Sequence, residues 1–286
     1  MTSGDEPRLA VGGIEVARYV VDPDLDPTHG PRPYLHPVRT LAGTVVTDAL
    51  PADHVWHLGV SLAVQDVNGT NLWGGRTYVR GTGYTWRSDH GRIAHTAWET
   101  RTPRRLAHRL EWRTPAGDVL LTERRTVAAV ALPDRRGWAL DVAYTLTAPD
   151  RSVTIGSPAT NGRPGGAGYG GFFWRVAAGA PPRIFTATSA GEAAVNGTAE
   201  PWVALAGTDT GDASYTLVFT GLGPGDRWFV RGAMYPGVCV AFAFDRPYVL
   251  AAGAERRGRH RVAVVDGDLD PVAAGRIAAQ LTGSAR

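Results

Sequence analysis

The chain of 286 residues contains no lysine; all 30 of its Lys/Arg positions are arginine. Without lysine there is no phosphate-loop lysine, no Schiff-base amine and no pyridoxal anchor. The single cysteine, Cys239, excludes an intramolecular disulfide, and its apolar run, Val238 to Phe244, reads as the setting of an inert core thiol. No stretch of about 18 apolar residues is present to span a membrane. Residues 1–6 have neither the basic start nor the apolar segment of a secretion signal. A cytoplasmic location without a membrane partner is the expectation, and the sequons at Asn68 and Asn196 then read as turns. The 27 acidic residues leave a net charge of only +3, and the densest arginine groups, Arg101 to Arg109 and Arg256 to Arg261, carry no interleaved stacking aromatics. They read as solvated strand ends and turns, so no nucleic-acid partner is expected.

Familiar catalytic signatures are missing too. No Gly-x-Ser-x-Gly elbow occurs. The stretch Gly166-Ala167-Gly168-Tyr169-Gly170-Gly171 formally matches the dinucleotide fingerprint, but Phe172-Phe173-Trp174-Arg175-Val176 after it reads as strand. The fingerprint needs a helix N-terminus there to receive phosphates, so it is rejected.

What is present is β-structure. The chain is cut by 36 glycines and 20 prolines into short pieces rich in valine, threonine, tryptophan and tyrosine. Trp138, Leu140, Val142, Tyr144 and Leu146 share one strand face; Leu106, His108, Leu110 and Trp112 share another. Further strands are expected near 43–47, 58–66, 76–80, 92–99, 119–130, 152–156, 172–176, 183–188, 214–220, 227–233, 238–244 and 260–266. Trp98, Trp112, Trp138 and Trp228 fall in such patterns and read as core, as does a satisfied His108. His95 and Glu99 share an apparent face and form a minor acid–base candidate. Glu111 and Asp141 read as solvated. One helix is expected at the end: Asp270 caps, Pro271 opens, and Val272, Ile277 and Leu281 recur up to Gly283. The expected fold is an all-β, large antiparallel β-sandwich with one C-terminal helix, a single domain over 1–286 with its core at about 10–282.

Chemistry concentrates in two segments. In the first, residues 32–74, three of the eight histidines occur within 22 positions: His36, His54 and His57, accompanied by Asp53, Arg32, Tyr34, Trp56 and Asn71. One reading makes His36, His54 and His57, with Asp53, ligands of a divalent metal, the only cofactor the residues suggest. Another makes a histidine and a carboxylate the general acid and base for a sugar, with aromatic rings stacking on its C–H faces. A third makes the histidines hydrogen-bonding staples of a loop. In the second segment, residues 157–175, dense glycine lets backbone approach a ligand, and Asn161, Arg163, Tyr169 and Arg175 supply polar recognition. A tight inter-sheet connection explains the same stretch, with Phe172 and Trp174 as core.

The motifs Arg32-Pro33-Tyr34 with His36-Pro37, Asp53-His54 with Trp56-His57 and Gly59, Asp66-Val67-Asn68-Gly69 with Trp73-Gly74, and Asn161-Gly162-Arg163-Pro164 through Gly168 to Arg175 resemble an uncharacterised bacterial family often labelled methane oxygenase PmoA-like. Relatives carry Pro and Arg or Gln where Val55 and Leu58 stand here, and some carry Lys-Glu-Gly where this chain has Thr160-Asn161-Gly162. The resemblance covers about residues 10–282 and implies a β-supersandwich similar to galactose mutarotase-like domains. The two segments, read in such a fold, lead to the expectation of a carbohydrate-active enzyme, hydrolysing or epimerising a small-molecule sugar. His54 or His57 serves there as acid or base, His36 positions, the arginines hold polar substituents, and Tyr34, Trp56 and Tyr169 stack. The alternatives are a carbohydrate-binding protein without turnover and a metal-dependent hydrolase or oxygenase. No oligomeric state follows from the residues.

Overall fold

The computed structural model describes residues 6–133 and 136–283; the N-terminal residues 1–5, on which the absence of a secretion signal was read, lie outside the described residues. Two large antiparallel sheets carry the fold. The first has seven strands in the order Arg8–Val11, Ile14–Val20, Tyr34–Val38, Val60–Ala63, Gly171–Arg175, Gly237–Ala241, Arg227–Arg231. The second has eight, in the order Arg183–Phe185, Trp202–Thr208, Ser214–Thr220, Glu255–Asp266, Gly137–Thr147, Val119–Ala131, Arg105–Arg113, Arg92–Thr102. Smaller sheets of three strands and two strands edge the loops. The chain thus forms the expected large antiparallel sandwich with a C-terminal helix. Six strands among the described residues were not foreseen: Arg8–Val11, Ile14–Val20, Tyr34–Val38, Gly83–Thr85, Trp202–Thr208 and Tyr248–Leu250. The expected strand at 43–47 is only an isolated bridge between Val45 and Arg39.

Alternation along each strand sends every second side chain into the space between the sheets. Trp138, Leu140, Val142, Tyr144 and Leu146 all point there, as do Leu106, His108, Leu110 and Trp112. They meet Phe172, Trp174, Trp228, Val238 and Val240 from the seven-stranded sheet. Each wholly buried tryptophan contributes roughly 3 kcal/mol of apolar burial. Cys239 is buried on the opposite face of its strand, and burial pushes its thiol up to about 12.

The helix Pro271–Gly283 begins where Asp270 Oδ1 accepts from the Ala273 N–H at 2.7 Å. Its buried stripe is Ala274, Ile277, Ala278 and Leu281, packed on Ala204, Val218, Ala263 and Val265 across the outer face of the eight-stranded sheet. Val272, expected on that stripe, is 64% exposed, because residues 272 and 277 fall on different faces at 3.6 residues per turn. Asp141, expected to be solvated, is 9% exposed and binds both Arg259 and Arg261, while Arg261 also donates to the Leu281 carbonyl near the helix C-terminus. The His95–Glu99 pairing dissolves. Register shifts at His95/Ala97 and Trp98/Thr100 separate the two side chains, so His95 joins His108 at 3.0 Å while Glu99 binds Arg109 and Arg124.

Two polar networks bridge the interior. Glu123 accepts from Arg125 and from Trp112 Nε1, Arg125 donates to Tyr19 Oη, and Tyr19 meets His108 Nε2. Elsewhere His260 donates Nδ1–H to the Gly221 carbonyl at 2.8 Å and its Nε2 faces Tyr144 Oη at 3.0 Å. Desolvation lowers His260 to about 4 and His108 to about 2, so both are neutral in the fold. An unfolded chain takes up those protons near pH 6.5, which the folded chain refuses until far lower pH. Stability is therefore full above pH 6.5 and falls as pH drops through the window down to these values. Replacing His260 with Gln should shrink the stability lost between pH 7 and pH 4 by about 2–3 kcal/mol, read from urea midpoints at the two pH values.

Candidate functional site

The same alternation that fills the core presents a second set of side chains on the opposite face of the seven-stranded sheet. Phe173, Arg175, Phe229, Arg231 and Cys239 lie there, between the core-facing Phe172, Trp174, Trp228 and Val230. Loops rise around this floor and enclose a cavity of about 500 Å³. Its apolar walls are Trp56, Trp73, Trp86, Tyr84, Tyr169 and Tyr235, with Phe229 at the base. The volume is that of a small-molecule site.

One wall is the turn at residues 51–57. The His54 N–H bonds the Pro51 carbonyl and the His57 N–H bonds the His54 carbonyl, so both imidazoles leave the turn on the same side. Their rings stack, centroids 4.7 Å apart at 16°. Tyr235 tilts against both, at 4.7 Å and 4.8 Å. The second wall is the turn at Asn71. Its side-chain oxygen accepts from the Trp73 and Gly74 N–H groups at 2.9 Å, and its amide donates to the Gly75 carbonyl and Thr77 Oγ1. Gly75 adopts φ +68°, and a Cβ there would stand 2.5 Å from the Trp56 ring; glycine is what lets the indole lie against the turn.

Hydrogen bonding assigns the imidazole protons. Asp53 Oδ2 lies 3.1 Å from His54 Nδ1, so His54 donates there and keeps its Nε2 lone pair. Arg175, a donor-only group, reaches His57 Nδ1 with Nη1 at 3.4 Å and both Asp53 oxygens with Nη2 at 3.1 Å. His57 must accept at Nδ1, which puts its proton on Nε2. Burial first, then the charges of His54, Arg175 and Arg32, hold His57 well below the usual imidazole range. Partial burial pushes Asp53 up, but the bonds from His54 and the charge and bonds of Arg175 outweigh it and hold the carboxyl below its ordinary value. Two stacked rings thus carry opposite tautomers.

At the other wall, Gln65 Nε2 donates to the Arg76 carbonyl at 3.1 Å and to Tyr169 Oη at 3.0 Å. Tyr169 Oη is 2.9 Å from Tyr84 Oη, which also accepts from Arg163 Nη1. The Arg163 guanidinium lies 4.8 Å from the Tyr84 ring centroid, and that of Arg76 5.8 Å from the Trp86 centroid. Arg231 lines the base, 4.3 Å from the Phe229 centroid and 3.5 Å from Glu192.

Of the residues singled out from sequence, His54, His57, Trp56, Arg163 and Tyr169 line this cavity, with Asp53 and Arg175 bonded to its two histidines. Others are placed elsewhere. Arg32 is fully buried and spends its donors on Ser61 Oγ and the carbonyls of Gly30, Trp56 and Trp73, tying two loops together rather than holding a substituent. Burial brings it down to about 9, still charged at neutral pH. Tyr34 packs on Val20 and Leu58 and presents no face for stacking. His36 bonds Thr47 Oγ1 at 3.0 Å and does not line the cavity. Asn71 is consumed by its own turn, and Asn161 bonds Asp66 beside a separate, smaller cleft. With His36 apart, the proposed three-histidine ligand set does not assemble, and among the described residues no three His, Cys, Asp or Glu side chains are grouped to hold a metal ion. Tyr84, Trp86, Arg76, Arg231, Met234 and Tyr235 were not anticipated. The available signal was apolar residues placed in turns: Trp86 is 51% exposed and Met234 69%.

Residues 6–279 match the model of a family of unknown function (DUF6807). No curated protein matches the chain. Among solved structures, the chain is similar to a putative aldose 1-epimerase from Escherichia coli K12, at 12% identity over 93% of this chain and 99% of that one, with a TM-score of 0.40. It is also similar to a mutant of the heparan sulfate lyase HepC from Pedobacter heparinus, at 11% identity over 63% of this chain, with a TM-score of 0.29; the chain spans 22% of that lyase. Among the described residues no helix is long and apolar enough to cross a membrane.

Asn71 distinguishes a scaffold from a ligand contact. Asn71→Ala leaves the Trp73 and Gly74 N–H groups and the Thr77 hydroxyl short of a partner, while the Gly75 carbonyl keeps the bond from His90 Nε2 at 2.7 Å, and should cost about 2–4 kcal/mol in chemical denaturation. An unchanged denaturation midpoint would contradict the role assigned to that turn.

Proposed function

The chain belongs to that family of unknown function, and we propose that it acts as a single-domain, carbohydrate-active enzyme that moves a proton at the anomeric centre of an aldose. The observation that carries this reading is the pair of stacked imidazoles with opposite tautomers, one backed by Asp53 and the other by Arg175. Aromatic walls suit a sugar because its C–H edges carry slight positive charge and ring faces slight negative charge.

The Nε2 lone pair of His54 is the base. It takes the proton of the hydroxyl on C1; the C1–O5 bond breaks with its electron pair going to O5, and the C1–O1 bond becomes a carbonyl. The His57 Nε2–H donates a hydrogen bond to O5 as charge develops there, and the proton carried by His54 is then delivered to O5. Rotation about C1–C2 and the reverse sequence close the ring with the other configuration, leaving both histidines as they began. Asp53 stabilises the imidazolium that His54 becomes, through the bond at Nδ1. A neutral His57 suits a fixed donor, because an imidazole kept uncharged polarises an oxygen without holding it as a tight ion pair. The two rings are stacked on one side of the cavity, so they approach a hemiacetal from the same side. An inverting hydrolysis needs its two groups roughly 6.5–9.5 Å apart, on opposite faces of the sugar.

The test is the anomer-exchange rate of a panel of aldoses, followed by polarimetry and by saturation-transfer NMR. His54→Gln should lower the catalysed rate by about 10²- to 10⁴-fold while sugar affinity changes far less. Asp53→Asn should lower it less, since the base survives without its charged partner. Full activity in His54→Gln, or no acceleration with any aldose, would remove the reading.

A further inference from the structure

We infer that the sugar taken by this cavity carries an anionic substituent, held at the wall opposite the histidines by Arg163, Tyr84 and Arg76; the inference rests on the sugar reading above. Its basis is a wall whose side chains offer donors and no acceptor.

The direction of the hydrogen-bond chain can be followed from its buried end. Gln65 has one side-chain N–H on the Arg76 carbonyl, which can only accept, so the nitrogen and oxygen of its amide are fixed. Its second N–H then points to Tyr169 Oη, which accepts. Tyr169 is 7% exposed, and Tyr84 Oη at 2.9 Å is the acceptor for its own proton. Tyr84 Oη therefore receives two bonds, one from Tyr169 and one from Arg163. Two incoming bonds occupy both lone pairs of a hydroxyl. The Tyr84 proton is left to donate, and Tyr84 lines the cavity.

Around that proton the charge is positive. Arg163 is half-buried and Arg76 exposed at the rim, and among the described residues neither has a carboxylate within ion-pair distance. Arg231 differs, since Glu192 stands 3.5 Å from it. Among the described residues no aspartate or glutamate lines the cavity. A neutral sugar hydroxyl both donates and accepts, and would find no side-chain acceptor at this wall. A carboxylate, sulfate or phosphate only accepts, and matches guanidinium forks and a phenolic proton. Burial holds Arg163 against the Tyr84 ring, where a less hydrated guanidinium meets an anion at lower desolvation cost than an ammonium would. The histidine pair would then work at C1 while the substituent, carried on the far side of the ring, sets the orientation.

The experiment is calorimetric titration of the intact protein with matched probes: glucose, galactose and mannose, each beside its uronate, 6-phosphate and 6-sulfate. At least one anionic member of a set should bind about tenfold or more tightly than its neutral parent at low ionic strength, and the advantage should shrink as salt rises. The form preferred tells carboxylate from sulfate or phosphate. Arg163→Met and Arg76→Met should each reduce the ratio of anionic to neutral affinity, the readout that a purely structural defect would leave unchanged. Equal binding of parents and anions across every set overturns the inference, as does a preference that survives both substitutions. Anomer exchange on neutral aldoses without any anion preference would leave the acid–base reading standing and remove this one. Anion preference without accelerated exchange would do the reverse.

Discussion

Guanidinium groups withdrawn from water hold the upper half of this molecule in place. Arg32 bonds four carbonyls and a serine hydroxyl, none of them charged, and so binds the backbones that carry Trp56 and Trp73 to the seven-stranded sheet. Arg175 rises from the floor of the cavity and binds Asp53 and His57 at once, fixing the turn that presents both histidines. A lysine has three donors on a flexible stem and loses its charge readily when buried. A planar fork with five donors can satisfy several carbonyls simultaneously, which is what an enclosed loop junction requires. The absence of lysine is thus compatible with a fold whose internal cations must stay charged while bonding several acceptors at once.

The chemical capacity of the site follows from how unequal the surroundings of two like residues are. His54 and His57 are three positions apart and stacked, yet one leans on a carboxylate and the other on a cation. The Asp53 carboxylate accepts the Nδ1 proton of His54, whereas a guanidinium at Nδ1 of His57 opposes a second proton and keeps that ring neutral. Arg175 performs both tasks, because the same guanidinium that faces His57 also anchors the Asp53 carboxylate beside His54. Removing it would alter both rings at once, so its effect is that of a positioning residue rather than of a catalytic one.

The sandwich was legible where alternation was clean. Trp138 to Leu146 and Leu106 to Trp112 read correctly because every second residue is large and apolar. Ile14–Val20 escaped because Glu15 and Arg18 interrupt its pattern and both Val16 and Ala17 are buried, so its alternation is broken by a register shift against Tyr34–Val38. Within the site, the pairing of His54, Trp56 and His57 was visible as a dense local motif. Arg32 and Asn71 belong to equally dense motifs, but composition cannot tell a side chain that binds a ligand from one that binds its own backbone. That distinction is made by the loop geometry around Gly74 and Gly75, which the residues permit but do not announce. The far wall, from Arg76 to Trp86, is carried by a separate two-stranded sheet, and the segment 231–235 that brings Tyr235 against the histidines reaches them through sheet order, since its strand is remote in sequence from residues 53–57.

Stability and chemistry meet in one strand. In Gly171–Arg175, Phe172 and Trp174 are sealed between the sheets while Phe173 and Arg175 support the cavity. A shift of one residue would exchange the two sets, placing a guanidinium in the apolar interior and an indole beneath the histidines. The penalty for burying that charge without a partner would be several kcal/mol, far more than any gain available from the displaced rings. Pairing on both edges, with Val60–Ala63 and Gly237–Ala241, and the packing of Trp174 on Phe219 hold this register. The orientation of the histidine pair is therefore set by the hydrophobic core through the backbone of a single strand, which explains how a site assembled from long loops is held to one geometry.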